Sequence, residues 1–103
     1  MDTDQLTFIV QISDDAIDDL KIIKKSGTPA IKTKIERIIQ ELQTTPTKGV
    51  GAPEQLKGEE GVIYSRTLNK KDRLVYEILE EEKRVIIIQF LGHIYTSFRL
   101  HLL

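Results

Sequence analysis

The sequence predicts an α+β fold in which one strand precedes two helices and three further strands follow, in the order β-α-α-β-β-β. Three observations support it: an apolar, β-branched stretch near the N-terminus, two consecutive amphipathic stretches with capping residues, and three apolar stretches in the second half. We expect a mainly antiparallel sheet with both helices packed on one face. The 103 residues suffice for one core, so residues 1–103 are interpreted as a single domain.

The first strand and the first helix meet at Ser13. Leu6 to Ile12 is rich in β-branched and apolar residues, which favours a strand. Ser13 is a favourable N-cap, and two aspartates follow it where the helix dipole favours negative charge. Because Gly27 is a typical terminator, we predict the first helix over residues 14–26.

The second helix begins with Thr28 as N-cap and Pro29 in the first turn, where proline loses no hydrogen bond. Its apolar residues recur at the spacing of one helical face: Ile31, Ile35, Ile38, Ile39 and Leu42. This period predicts an amphipathic helix that ends before Pro46. A loop over residues 46–53 should follow, with two glycines that allow conformations barred to other residues.

Three strands are predicted in the second half of the chain. Val62 to Leu68 and Arg73 to Leu79 flank a short polar connector suited to a hairpin. Arg84 to Leu91 is nearly apolar throughout, which predicts a central strand covered on both faces.

The hairpin connector determines how the arginines of the two strands are placed. If Asn69 and Asp72 pair across a two-residue turn, Arg66 lies opposite Val75 and shares one face of the sheet with Arg73. A slip of one residue would send one arginine to the opposite face.

Composition excludes several kinds of protein. The chain has no cysteine, so disulfides, thiolate metal sites and thiol nucleophiles are all excluded. It shows neither the basic and apolar regions of a signal peptide nor an apolar run of membrane-spanning length. We therefore expect a cytoplasmic protein with no membrane partner.

Charge is segregated along the chain, although the formal net charge is only −1. Residues 1–20 hold six aspartates and no lysine or arginine, whereas residues 21–73 hold twelve bases against six acids. The basic middle region can face an anionic partner. The alternative is that its lysines only keep the helix faces soluble.

The residue types needed for phosphate chemistry without a metal occur from residue 54 onward. Cleaving RNA in this way requires a base, an acid and fixed cations. Glu54 can act as the base, while Lys57, Arg66 and Arg73 supply positive charge and His93 can act as the acid. The simpler alternatives are a solvated loop carboxylate for Glu54 and an ordinary surface lysine for Lys57.

Arg73 and His93 also have simpler interpretations. Arg73 opens a strand, and its guanidinium can grip two phosphate oxygens, but it can equally form a strand-end salt bridge to Asp72 or Glu77. His93 follows Gly92 at the end of the apolar strand, where it can project into a cleft or serve as a structural or surface residue.

Four motifs together resemble the YoeB/Txe toxins of the RelE superfamily, which belong to bacterial toxin–antitoxin systems. They are G-x-G-x-P-E-x-L-K-G at Gly49 to Gly58, Y-S-R at Tyr64 to Arg66, N-K-K-D-R-L-V-Y at Asn69 to Tyr76, and G-H at Gly92 and His93. The resemblance covers residues 6–93 and implies a RelE-like fold.

The resemblance also implies a function and partners. It implies a ribosome-dependent endoribonuclease, or mRNA interferase, that cleaves mRNA through the 2′-hydroxyl and needs no metal or other cofactor. A cognate YefM/Phd-like antitoxin would silence it, and a homodimer is a further implied form. By motif position, the implied roles are general base for Glu54, phosphate stabilisation for Arg73, general acid for His93, and substrate binding for Lys57, Arg66 and Tyr95.

Four departures from the family pattern predict weakened activity. Thr67 stands where the family has a second arginine, and Asp72 replaces a histidine. Ile94 occupies the place of a terminal tyrosine, with Tyr95 one residue late. The chain is also net acidic and has an atypical C-terminal extension over residues 94–103.

These departures leave two other functions open. One is a binding protein on the same scaffold: a ParE-like toxin that inhibits DNA gyrase, or a toxin homologue that only binds its antitoxin. The other is an unrelated small α/β interaction domain.

Overall fold

The computed structural model describes residues 7–56 and 62–92. In chain order its elements are β1 (Ile9–Ile12), α1 (Asp14–Ser26), α2 (Pro29–Leu42), β2 (Glu54–Leu56), β3 (Val62–Thr67), β4 (Arg73–Leu79), a 3₁₀ turn (Glu80–Glu82) and β5 (Arg84–Gly92). The predicted order is confirmed, with β2 as an additional strand. This three-residue strand has no β-branched residue, and it is recognised through its pairing with β3.

The five strands form one mixed sheet in the order β1-β5-β4-β3-β2. β1 runs parallel to β5, and the other three pairs are antiparallel, as expected for a mainly antiparallel sheet. The predicted central strand, β5, is internal, but β4 takes the middle position. Alternate residues of β5, including Val85 and Ile87, are fully buried, whereas Ile86 and Ile88 are only partly buried.

Local sequence signals set the starts of both helices and the end of α1. Ser13 Oγ accepts a hydrogen bond from the Ala16 amide at 3.2 Å, and Thr28 caps α2 in the same way. The Gly27 amide closes α1 on the Ile23 carbonyl at 2.7 Å. Both predicted helix starts are therefore confirmed. Among the described residues, no helix has the length and apolar character needed to cross a bilayer.

Both helices pack on the same face of the sheet, as predicted. Alternate residues of β4 point to this face, because side chains alternate along a strand. The core joins residues of α1, α2, β4 and β5: Ala16, Ile23, Ile35, Ile38, Leu42, Leu74, Tyr76, Ile78, Val85, Ile87 and Phe90. The opposite face of the sheet is here called the distal face, and it carries Glu54, Ser65, Thr67 and Arg73.

The predicted hairpin register is wrong by one residue. Arg66 lies opposite Leu74, not Val75, and Arg73 lies opposite Thr67. The cause is the connector, which is longer than a two-residue turn. Asn69 Oδ1 accepts hydrogen bonds from the backbone amides two and three residues further on, at 2.9 and 2.7 Å. As a result the two arginines point to opposite faces of the sheet.

Candidate functional site

Glu54 and Arg73 meet on the distal face, although strand β3 and the hairpin connector lie between them in the chain. Glu54 lies opposite Ser65 in the sheet, and cross-strand partners point to the same side. Arg73 Nη1 lies 2.9 Å from Ser65 Oγ and 3.4 Å from Glu54 Oε1. The edge strand β2 therefore presents the Glu54 carboxylate directly to the Arg73 guanidinium on the middle strand, β4.

The pair remains open to solvent. The Glu54 side chain is 59% exposed and that of Arg73 is 24% exposed. An exposed ion pair of this kind contributes less than about 1 kcal/mol to stability. Within the described residues, Nη1 makes the hydrogen bonds of Arg73 to Glu54 and to Ser65. Other N–H groups of the guanidinium can therefore donate to the oxygens of a ligand. A carboxylate and a guanidinium at one exposed point, above the buried Ser65 hydroxyl, suit a phosphodiester substrate.

The salt bridge considered as an alternative for Arg73 is not the one in the structure. Among the described residues Arg73 forms its ion pair with Glu54 rather than with Asp72 or Glu77. The Asp72 carboxylate is nearly buried in the hairpin loop, where it accepts a hydrogen bond from Asn69 Nδ2 at 3.3 Å. Asp72 therefore stabilises the hairpin turn.

Arg66 is fully buried beneath the sheet and has no exposed surface for a substrate. The expectation that it shares a face with Arg73 is wrong, because the register places it opposite the core residue Leu74. All three nitrogens of its guanidinium donate hydrogen bonds within the protein. It donates to the carbonyls of Thr45, Pro46, Lys48 and Val50, to Glu41 Oε1 and to Tyr76 Oη.

Tyr76, which is fully buried, and Glu41, whose side chain is 20% exposed, complete this group, which we call the arginine clamp: Arg66, Glu41 and Tyr76. Glu41 Oε1 accepts from Arg66 Nη1 at 2.6 Å and from the Val50 amide at 3.0 Å. Tyr76 Oη accepts from Arg66 Nε at 3.1 Å and donates to the Pro46 carbonyl at 2.6 Å. Sequence reasoning assigned no role to Glu41 or to Tyr76, although Tyr76 ends one of the four motifs, because their contacts with Arg66 join residues 25 and 10 positions apart.

Opposing effects set the pKa values within the clamp. Burial raises the pKa of Glu41, but the hydrogen bonds from Arg66 and the Val50 amide, with the Arg66 charge, lower it to a net value below the usual 4.5. Burial raises the pKa of Tyr76 above 10.0 although Arg66 opposes this. At neutral pH the clamp therefore holds one carboxylate, one guanidinium and a neutral phenol.

Three of the expected site residues lie outside the described residues: Lys57, His93 and Tyr95. Their roles stay predictions. In the part of the chain that the structure describes, no group of three or more acidic, histidine or cysteine side chains is placed to hold a metal ion. The structure thus brings Glu54 and Arg73 together and separates Arg66 from them.

The family model, the relatives and several of the solved structures that this chain resembles belong to the same protein family. Residues 12–94 match the family model described as YoeB-like toxin of bacterial type II toxin-antitoxin system. A relative from Streptomyces coelicolor, named Toxin YoeB, is 35% identical over 63 residues, which is 61% of this chain and 73% of that protein.

Two solved structures from Staphylococcus aureus share the fold. The YoeB dimer aligns with a TM-score of 0.72 and 25% identity, over 84% of this chain and 98% of that chain. The toxin in a heterotetrameric YoeB–YefM toxin–antitoxin complex aligns with a TM-score of 0.68 and 26% identity, over 84% and 97% of the two chains. The RelE-like fold expected from the motifs is confirmed.

Proposed function

The chain belongs to the YoeB-like toxins of bacterial type II toxin–antitoxin systems, and on this basis we propose that it is an endoribonuclease that cleaves mRNA. The observation that carries the proposal is the exposed Glu54 carboxylate held 3.4 Å from Arg73 Nη1 on the distal face. A base and a phosphate-binding cation at one exposed point are what this reaction needs. We treat the whole chain as one toxin domain.

Glu54 and Arg73 have complementary roles in the proposed reaction. Glu54 takes the proton from the 2′-hydroxyl as that oxygen attacks phosphorus. Arg73 stabilises the negative charge that builds up on the phosphate oxygens. His93 then protonates the 5′-oxygen as the P–O5′ bond breaks, which leaves a 2′,3′-cyclic phosphate. Lys57 and Tyr95 bind the substrate.

The substrate we propose is mRNA held in the ribosome. With a formal net charge of −1, the chain lacks the large positive charge by which proteins bind free RNA. An assembly that presents the mRNA in a fixed conformation supplies both the affinity and the geometry for in-line attack. Because ribosomes translate mRNA in the bacterial cytoplasm, we propose that the protein acts there.

A YefM/Phd-like antitoxin is the proposed partner that silences the toxin. The S. aureus relative forms a complex with YefM, and another S. aureus structure is a dimer. We therefore propose both an antitoxin complex and a homodimer for this chain.

The test is induced expression in growing bacteria, with primer-extension mapping of mRNA ends. Wild type is compared with Glu54→Gln and His93→Gln, and with Glu81→Gln as a control at an exposed glutamate of the 3₁₀ turn. We expect growth arrest with new in-frame cuts in wild type and control, and neither in the two site variants. Intact mRNA in arrested wild-type cells would overturn the proposal.

One observation favours a second candidate, a toxin that binds without cleaving RNA. Thr67 stands on the distal face where the family has a second arginine, and Arg66 is buried, so this face has less positive charge than the motifs imply. Such a protein would be a ParE-like gyrase inhibitor or an antitoxin-binding homologue. It would arrest growth without cuts, or bind antitoxin without arrest, equally in wild type and in both site variants.

A further inference from the structure

The loop that leads to Glu54 is wrapped around the Arg66 guanidinium. A buried guanidinium is unfavourable unless nearly all its N–H groups are paired. Four of its partners are loop carbonyls, at distances from 2.8 to 3.3 Å: those of Thr45, Pro46, Lys48 and Val50. Converging carbonyls around one cation fix the path of a backbone that has little regular structure of its own.

Backbone geometry shows how closely this loop fits the clamp. Gly49 has φ of +130°, a conformation that side chains rarely adopt, and a Cβ there would lie 2.9 Å from Arg66 Nη1 and overlap Glu41 Oε1. Two residues later, the Gly51 carbonyl accepts a hydrogen bond from the Thr67 amide at 2.7 Å. The loop is thus attached both to the guanidinium and to the strand that carries it.

Glu54 lies three residues beyond this attachment. It opens β2, which has only three residues and lies at the edge of the sheet, so its own pairing holds it weakly. The preceding residues therefore decide whether the carboxylate meets Arg73. Arg66 and Ser65 are neighbours on β3, so their side chains point to opposite faces of the sheet. Arg66 holds the loop on the core face, and Ser65 lies opposite Glu54 on the distal face.

We infer that the arginine clamp is a positioning device: Arg66, Glu41 and Tyr76 hold the loop over residues 45–51 so that Glu54 meets Arg73 on the distal face. This inference rests on the proposed ribonuclease function. It assigns Arg66 to positioning the base from the core side of the sheet, in place of contact with the substrate. Loss of the clamp should slow the chemical step and leave binding of the mRNA nearly unchanged.

The experiment uses Glu41→Gln, which keeps the shape of the side chain and removes the charge that pairs with Arg66. Glu36→Gln is the matched control, an exposed glutamate on the same helix. Single-turnover cleavage is measured on mRNA in programmed ribosomes, and affinity is measured with the same mRNA carrying a 2′-deoxynucleotide at the scissile position. Hydrogen exchange of the Val50, Thr67 and β2 amides reports on the loop.

We expect Glu41→Gln to reduce the cleavage rate about 10-fold or more, since small displacements of a reacting group have large effects, with affinity within about twofold. Exchange should accelerate in the loop and β2 but not in the amides of α1 or β5. The control should match wild type. Tyr76→Phe removes only the hydroxyl that links Arg66 to Pro46, and should give a smaller effect of the same kind.

Each other outcome has a defined meaning. A wild-type cleavage rate in folded Glu41→Gln, or an affinity loss that accounts for the lost rate, would overturn the inference. Exchange that accelerates equally throughout the protein would show a general structural role and also overturn it. If Glu41→Gln does not fold, Tyr76→Phe is judged by the same criteria. If wild type cleaves no RNA, the proposed function fails, and unchanged exchange in the loop and β2 then overturns the clamp as well.

Discussion

A single guanidinium nitrogen joins the proposed base to the hydroxyl beneath it. Arg73 Nη1 contacts both Glu54 and Ser65, and the pair is exposed on the distal face. A group held so openly contributes little to folding, and the role proposed for it is to bind the reacting phosphate. Arg66, on the neighbouring strand β3, is by contrast fully buried, so its hydrogen bonds contribute to the stability of the fold.

Replacing Arg73 should separate activity from stability. We expect Arg73→Gln to lower the rate of mRNA cleavage by about 100-fold or more, since it removes a fixed charge beside the reacting phosphate. The free energy of unfolding should change by less than about 1 kcal/mol, because the ion pair is exposed. Arg84→Gln, at another partly exposed ion pair, is the control and should cleave normally. Normal cleavage by folded Arg73→Gln would contradict the assigned role.

Gly49 should tolerate no side chain. We expect Gly49→Ala to lower the free energy of unfolding by about 2 kcal/mol or more, because its Cβ meets the clamp and its φ is positive. Urea denaturation measures the change. Thr47→Ala, an exposed site in the same loop, should be nearly neutral. Equal stability of the two variants would show that the loop relaxes around the added methyl group.

At the scale of elements, short strands and their supports depend on contacts distant in sequence. β2 exists because β3 offers it hydrogen-bonding partners, and the end of β5 is held by α1. Asp19 Oδ2 accepts hydrogen bonds from the backbone amides of Phe90 and Leu91 at 3.0 and 3.1 Å, where the pairing of β5 with β4 is irregular. A helix carboxylate thus satisfies two amides close to residue 93.

Removing this support should destabilise the protein. We expect Asp19→Ala to lower the free energy of unfolding by about 2 kcal/mol, because two amides lose a charged acceptor. Asp19→Asn keeps an oxygen acceptor and should cost less. Asp18→Ala, an exposed neighbour on the same helix, is the control for thermal or urea unfolding. Similar losses for Asp18→Ala and Asp19→Ala would argue against a specific role for the carboxylate.

At the scale of the whole molecule, the proposed function divides the two sheet faces between folding and chemistry. The helices cover one face and bury the core, together with the arginine clamp, while the distal face carries Glu54 and Arg73. A mutation on the core face should therefore act on activity through the position of the loop. One on the distal face should act on the reaction directly.

The clamp also predicts how stability depends on pH. The pKa of Glu41 is lowered in the folded protein, so the unfolded chain binds the proton more tightly. The resulting stabilisation is present above the unfolded value of about 4.5 and is lost as pH falls through the folded value. We expect the stability difference between wild type and Glu41→Gln to shrink as pH falls below about 4.5. Urea unfolding across pH measures it, with Glu36→Gln as control. A difference independent of pH would contradict the lowered pKa.

The sequence by itself determined the order of the predicted elements, the start of both helices and the inclusion of Glu54 and Arg73 among the candidate site residues. These features depend on signals within a few residues of each other: the N-caps Ser13 and Thr28, the apolar period of α2, and the motif around Glu54.

Only the tertiary structure decided the strand β2, the register of the β3–β4 hairpin and the side of the sheet on which each arginine lies. A shift of one residue in the connector reverses the face of every side chain that follows, and local propensity does not fix that count. It also decided that Arg66 is structural, because Glu41, Tyr76 and the loop carbonyls surround it only once the helix, strand and loop have packed together.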